Sequence, residues 1–218
     1  MLNQTGARAV AAKVLDPIAS GLLRIGLTPD IVTVIGTIGV SAAAVIFFPS
    51  GNFVVGFLVI LLFIFSDMID GAMARKMGRS GPWGAFLDST LDRVADGFVF
   101  GSLLIWAARS QSAATVAAAL ICLVAGAVIS YAKARAEGLG MTCNVGIAER
   151  TERLMLALFA ALLAGLGVPY VLPAALWILA ALSVLTVWQR MAVVYRQAKV
   201  IAAGERPGQT SGEGRAES

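Results

Sequence analysis

Four aspartates, Asp67, Asp70, Asp88 and Asp92, stand between two strongly apolar runs, residues 53–65 and 98–108. Carboxylates flanked by membrane-length apolar sequence are costly, and they persist when paired, bound to metal or used in chemistry. If each stretch is helical, Asp67, Asp70, Gly71 and Ala74 fall at offsets of zero, three, four and seven and share one face. Asp88, Asp92 and Asp96 recur every four residues and share another. Two such faces opposed concentrate negative charge that cations must neutralise. A donor set of carboxylate oxygens, in a chain without histidine, suits a hard cation, Mg²⁺ or Mn²⁺. Four aspartates could hold two ions, each keeping positions for water or a substrate phosphate. Gly71 and Ala74 lack bulk and let a nucleotide or pyrophosphate approach the helix closely, and Arg75 lies beside them, able to bind a phosphate or a base.

The order Asp67-x-x-Asp70-Gly71-x-x-Ala74-Arg75, eight residues, then Gly84-x-x-x-Asp88-x-x-x-Asp92 resembles the signature of the CDP-alcohol phosphotransferases at each of its eight specified positions. The reaction this implies is substitution at the phosphate of CDP-diacylglycerol, with CMP leaving. An alcohol nucleophile needs a base at neutral pH. With no histidine an aspartate is the natural candidate, and Asp92 lies at the end of the motif nearest the interior of the following helix. No residue has the context of a covalent nucleophile, so direct displacement is expected.

The elements that must position these residues read as membrane helices. Hydrophobic residues make up 58% of the 218, with a mean hydropathy of +0.83, a composition that argues for an all-α integral membrane protein over a soluble one. Six apolar segments of about 20 residues, the length that crosses a bilayer, are expected near 30–48, 53–75, 84–108, 113–136, 150–167 and 172–197. Residues 1–28 alternate apolar and basic positions at helical spacing and read as an interfacial amphipathic segment, with Pro17 expected to kink or split it. Residues 29–203 then form a six-helix bundle, 1–203 a single domain, and 204–218 a disordered tail rich in Gly, Glu, Ser and Arg. Of 17 Lys and Arg, all but Arg109 fall at the N-terminus, by the second–third and fourth–fifth connections or at the C-terminal end. The positive-inside rule therefore puts both termini and the aspartates at the cytoplasmic face of a multi-pass cell-membrane protein. The net charge of +4 suits anionic lipid and phosphorylated substrates and carries no signature of nucleic-acid binding. Small residues such as Gly36, Gly39, Gly97, Gly101, Gly126 and Ser130 are expected to permit close helix contacts. Cys122 and Cys143 read as buried free thiols.

A second charged set lies at the same ends of the fourth, fifth and sixth segments. Lys133, Arg135, Arg153 and Arg190 come from three helices and could converge on one phosphate, for which Arg offers a bidentate fork and Lys a point charge. The stretches GLLRIGLTPDIVT, ISYAKARAE, ERTERL and WQR are similar to the actinobacterial phosphatidylinositol-phosphate synthase branch of the family, up to about residue 196. That resemblance implies six transmembrane helices with an N-terminal interfacial helix, a homodimer, and transfer from CDP-diacylglycerol to inositol 3-phosphate. It further implies that Asp30, Ile31, Val32, Thr33, Gly71, Ala74, Arg75 and Ser80 contact CDP-diacylglycerol. Asp67, Asp70, Asp88 and Asp92 would bind the metals, with Asp92 doubling as base, and Lys133, Arg135, Arg153 and Arg190 would hold the inositol phosphate. Two other readings stand beside it. Glycerol 3-phosphate is the other acceptor the family suggests, since both acceptors carry a phosphate. A divalent-cation channel would explain the acids but would leave Gly71, Ala74, Arg75 and the basic set without a role.

Overall fold

The computed structural model of the protein describes residues 16–77, 81–110, 112–147 and 149–204, the side chains of residues 66–68 and 110 excepted. Residues 1–15, Ser80 and the tail beyond 204 named above thus lie outside the described residues. Within them the chain is helical and contains no strand. After α1 (residues 16–24) come α2 (Pro29–Phe47), a 3₁₀ turn (Phe48–Ser50), α3 (Phe53–Lys76), α4 (Pro82–Ser110), α5 (Ala113–Glu137), α6 (Arg150–Gly165) and α7 (Val171–Ala202).

The six long helices coincide with the six expected segments, and the largest difference is at α7. It continues to Ala202 instead of ending near 197, because residues 198–202 contain no breaker and the Lys199 ammonium lies 4.8 Å from the Tyr195 ring centroid one turn back. Four helices are long and apolar enough to cross a membrane by length and composition: Pro29–Ser50, Phe53–Lys76, Ala113–Glu137 and Val171–Ala202. Of the other two, α4 carries Asp88, Asp92, Arg93 and Asp96 along its first half, and α6 has 16 residues.

Local chemistry sets the ends. Thr28 caps α2, its hydroxyl accepting from the Ile31 N–H at 3.4 Å, and Pro29 follows in the first turn, where a missing donor is harmless. The α2–α3 hairpin turns on Gly51 at φ 78°, a left-handed conformation that favours glycine, and closes with the Asn52 N–H on the Phe47 carbonyl at 3.0 Å.

The core is built from a few large side chains seated among many alanines. Phe48, Ile60, Val99, Phe100, Leu103, Leu158, Leu172 and Leu176 are buried, with Ala44, Ala118, Ala119, Ala157 and Ala161 between them. Such helices approach closely, as small-residue interfaces allow. Gly39 takes the Phe63 ring directly over its Cα, and Gly56 leaves only 2.7 Å between a would-be Cβ and Phe48. Gly97 and Gly101 differ from Gly39 and Gly56: among the described residues of the chain no atom lies within 4 Å of where a Cβ would stand. Cys122 and Cys143 are free and buried, and the Cys122 thiol donates to the Leu176 carbonyl at 3.3 Å.

Helix α1 does more than border the bundle. Its Ala19 is buried with Val32, Ala72 and Met73, and Leu22 and Leu23 pack on that cluster. Lys76, at the end of α3, donates to the Asp16 carbonyl at 2.8 Å and to the Ser20 hydroxyl at 2.7 Å. At the other side of the same end, α7 clasps the connection between α5 and α6. Gln197 pairs with the Thr142 backbone through both its amide atoms, at 2.6 and 3.0 Å. Arg190, buried to 4% exposure, donates from Nε to the Val145 carbonyl at 2.9 Å and from Nη1 to the Ile129 carbonyl at 2.6 Å. Replacing it by Met removes two charge-assisted donors from buried carbonyls, so Arg190→Met is expected to cost about 1.5–3 kcal/mol. Thermal unfolding in detergent measures this as a lowered midpoint. Arg190→Lys should recover only part, because an ammonium lacks the fork that reaches both carbonyls.

Candidate active site

A cavity of about 990 Å³ opens where the beginnings of α2 and α4 meet the end of α3. Helix α2 lends Thr28, Asp30 and Thr33, α3 lends Asp70, Gly71 and Ala74, and α4 lends Trp83, Gly84 and Asp88. Two helix N-termini therefore border one cavity, and their partial positive charge partly offsets its carboxylates. Asp70 is buried at 9% exposure, and its Oδ2 lies 2.5 Å from the Thr33 hydroxyl, which also approaches the Pro29 carbonyl at 3.1 Å. The hydroxyl proton belongs to the charged acceptor. Among the described residues a Cβ on Gly71 would meet only Arg75 Nη1, at 3.5 Å, and one on Gly84 would meet nothing within 4 Å. Both glycines thus leave space to the cavity.

Along α4 the aspartates part company. A spacing of four residues advances about 40° around an α-helix at each step, so the row winds from one neighbour to another. Asp88 faces the cavity, whereas Asp92 and Asp96 meet α6. Asp92 Oδ1 lies 2.7 Å from Arg150 Nη2, and its Oδ2 lies 3.6 Å from Arg93 Nη2. Asp96 Oδ1 accepts from Arg150 Nε at 3.2 Å and its Oδ2 from Arg153 Nη2 at 3.3 Å. Arg93 also donates to the Ser130 hydroxyl of α5. Arg153 is 2% exposed, with Gly126 under its guanidinium and the Phe100 ring centroid 5.8 Å away. Its Nε and Nη1 find no partner among the described residues. It borders, with Arg93, Asp96 and Cys122, a small cavity of about 50 Å³.

The structure therefore gathers Asp30, Thr33, Asp70, Gly71, Ala74 and Asp88 on one cavity. Ile31 and Val32 take no part in its lining; Ile31 is exposed, and Val32 is buried against α1 and α3. Arg75 is exposed beside Gly71. The Asp67 side chain and Ser80 lie outside the described residues. Arg153 and Arg190 are buried with internal acceptors, whereas Lys133 and Arg135 occupy the open end of α5, Lys133 lying 4.0 Å from Glu137.

For a metal, Asp70 and Asp88 supply oxygen donors from two helices to one cavity, and that chemistry fits a hard divalent ion. Among the described residues no three acidic, Cys or His side chains gather on one centre. One contributor, Trp83, and two pairings, those of Thr33 and Asp96, escaped the sequence reading. Trp83, exposed at the mouth, donates from Nε1 to Asp30 Oδ2 at 3.0 Å; its one signal was a large aromatic between Pro82 and Gly84. Thr33 is tied to Asp70, a pairing no spacing announces. Asp96 was legible as the next step of the aspartate row, but its bond to Arg150 depends on how α6 is docked.

Known proteins resemble the chain in sequence and in fold. Over 97% of its length the chain is 48% identical to the phosphatidylinositol phosphate synthase of Streptomyces avermitilis, covering 91% of that protein. It is 44% identical to that of Mycobacterium tuberculosis, over 92% and 94% of the two chains. The crystal structure of the M. tuberculosis enzyme with manganese and citrate superposes with a TM-score of 0.82 at 42% identity, over 92% of this chain and 93% of that one. The structure of the same enzyme with CDP-DAG bound gives 0.82 at 41% identity, over 94% and 100%. The model of the CDP-alcohol phosphatidyltransferase family matches residues 26–189, the span that holds the cavity and both sets of aspartates, and the chain belongs to that family.

Proposed function

We propose that the protein transfers the phosphatidyl group of CDP-diacylglycerol to a hydroxyl of 1D-myo-inositol 3-phosphate, giving phosphatidylinositol phosphate and CMP. One observation carries the reading: a cavity of about 990 Å³ whose wall combines Asp70, Gly71, Ala74, Gly84 and Asp88, five of the eight motif positions. Its volume suits a nucleoside diphosphate headgroup. The high identity to phosphatidylinositol phosphate synthases, one of them solved with CDP-DAG bound, supports the substrate pair.

In this reading Asp30, Thr33, Gly71, Ala74, Arg75 and Ser80 form the CDP-diacylglycerol site, and Ile31 and Val32 hold the turn of α2 that carries Asp30 and Thr33. Asp67, Asp70, Asp88 and Asp92 hold the metal, Mg²⁺ or Mn²⁺ and two ions in all, and manganese in a relative's structure supports a divalent ion. When bound, the metal supplies Lewis-acid neutralisation of the pyrophosphate and the departing CMP. Thr33 orients Asp70 by its hydrogen bond, and the glycine surface of α3 lets the phosphates approach. Asp92 takes the proton of the acceptor hydroxyl, whose oxygen displaces CMP from the lipid phosphate directly. Lys133, Arg135, Arg153 and Arg190 form the acceptor site. The two unpartnered N–H groups of Arg153 are the kind of donor a phosphate oxygen needs.

The same reading makes residues 1–203 one membrane domain of six spans with an interfacial first segment and a disordered tail. It sits as a homodimer in the cell membrane, both termini and the cavity on the cytoplasmic side. The four apolar helices support a membrane domain, and the Lys and Arg asymmetry supports that orientation.

Purified protein offered labelled CDP-diacylglycerol is expected to release CMP with inositol 3-phosphate, and far less with glycerol 3-phosphate or unphosphorylated inositol. Preference for glycerol 3-phosphate would reassign the acceptor, and cation flux in liposomes without CMP release would reassign the class. Chelation is expected to abolish turnover, and Asp67→Asn, Asp70→Asn and Asp88→Asn each to remove it from folded protein; near-normal rates in all three would make the aspartates structural. Arg153→Ala should raise the KM for the phosphorylated acceptor about ten- to a hundred-fold, the worth of a charge-assisted hydrogen bond, and spare that for CDP-diacylglycerol.

A further inference from the structure

Among the described residues Arg150 is the cation nearest Asp92, and its bonds do more than neutralise a charge. Its guanidinium spans two carboxylates one turn apart on α4, Nη2 on Asp92 Oδ1 at 2.7 Å and Nε on Asp96 Oδ1 at 3.2 Å. A planar fork fixed at two points cannot pivot, so it sets where the Asp92 oxygen lies. Asp96 is fixed in turn. Its side chain is 10% exposed, and its second oxygen is taken by Arg153, three residues along α6 from Arg150. On the far side Arg93 approaches the other Asp92 oxygen at 3.6 Å while bonded to Ser130 of α5. The result is one line of alternating charge, Arg93, Asp92, Arg150, Asp96 and Arg153, joining α4 to α6, with Ser130 tying its Arg93 end to α5.

We infer that Arg150 is a positioning residue for Asp92, and that Asp96 links it to Arg153, so that the first turn of α6 both aims the base and carries an acceptor-binding arginine. This rests on the role of Asp92 under the proposed function. It follows from geometry: Arg150 is bonded to Asp92 and does not line the cavity. Its loss should therefore act on the rate of the chemical step and leave the nucleotide site as it is.

The test is steady-state kinetics at saturating Mg²⁺ on full-length protein in detergent, comparing Arg150→Met, Arg150→Lys, Asp92→Asn and the double variant Arg150→Met with Asp92→Asn. Arg150→Met is expected to lower kcat about ten- to a hundred-fold, the value of a charge-assisted bond expressed as a rate, with the KM for CDP-diacylglycerol changed less than about twofold. The side chain is 27% exposed, and Arg150→Lys keeps its charge, so that variant decides if the Met variant proves unstable. An ammonium cannot span both carboxylates, and Arg150→Lys should keep most of the kcat deficit. In the double variant the Arg150 change should cost nothing beyond Asp92→Asn alone, because the group it positions is gone. A merely structural role would instead add its cost in both backgrounds. Normal kcat in Arg150→Lys, or full additivity in the double variant, overturns the inference, while an Asp92→Asn that is strongly slowed but still measurable leaves the base assignment standing. An active Asp92→Asn overturns the base assignment itself.

Discussion

A carboxylate surrounded by apolar helices must find a partner, because its desolvation costs several kcal/mol when uncompensated. This requirement shapes the charged end of the bundle. Asp70 is met by the Thr33 hydroxyl, and Asp92 and Asp96 by arginines from α6. Where an arginine must itself be buried, the packing makes room for it. Gly126 leaves its face to the Arg153 guanidinium, since a Cβ there would stand 2.7 Å from Nη2. The small residues of α5 thus serve a charge as well as a helix contact.

The same constraint divides the site in two. One half is the cavity of α2, α3 and α4, lined mostly by short side chains and by three carboxylates. The other is the arginine–aspartate line between α4 and α6, largely closed to solvent. Asp92 stands at the junction because the aspartate row winds slowly around α4. Had the row followed the helix repeat more closely, all its members would face the cavity and none would reach α6.

Much of this was legible in the chain. Helix number and placement followed from apolar length and the turn residues between runs, and the cavity residues from a motif whose spacing matches one helix face. What escaped has a common cause. Thr33 with Asp70, Trp83 with Asp30, and Arg150 with Asp92 and Asp96 join residues 37 to 58 positions apart in sequence. Periodicity within one helix does not say which neighbour a side chain meets. The basic residues show the same limit. Their grouping at one end could be read from charge alone, but not that Arg190 would spend two of its donors on carbonyls of Ile129 and Val145.

Both helices that open onto the cavity begin with proline. Pro29 follows the Thr28 cap, and Pro82 precedes the first bond of α4, from the Ala85 N–H to the Gly81 carbonyl at 3.3 Å. A proline ring holds φ near the helical value, so these ends have little backbone freedom left to lose. Binding at most helix termini must first quench fraying, at a cost of about 1–2 kcal/mol for each residue ordered. Here that conformational entropy is surrendered when the chain folds, and a molecule entering the cavity meets a rim that is already set.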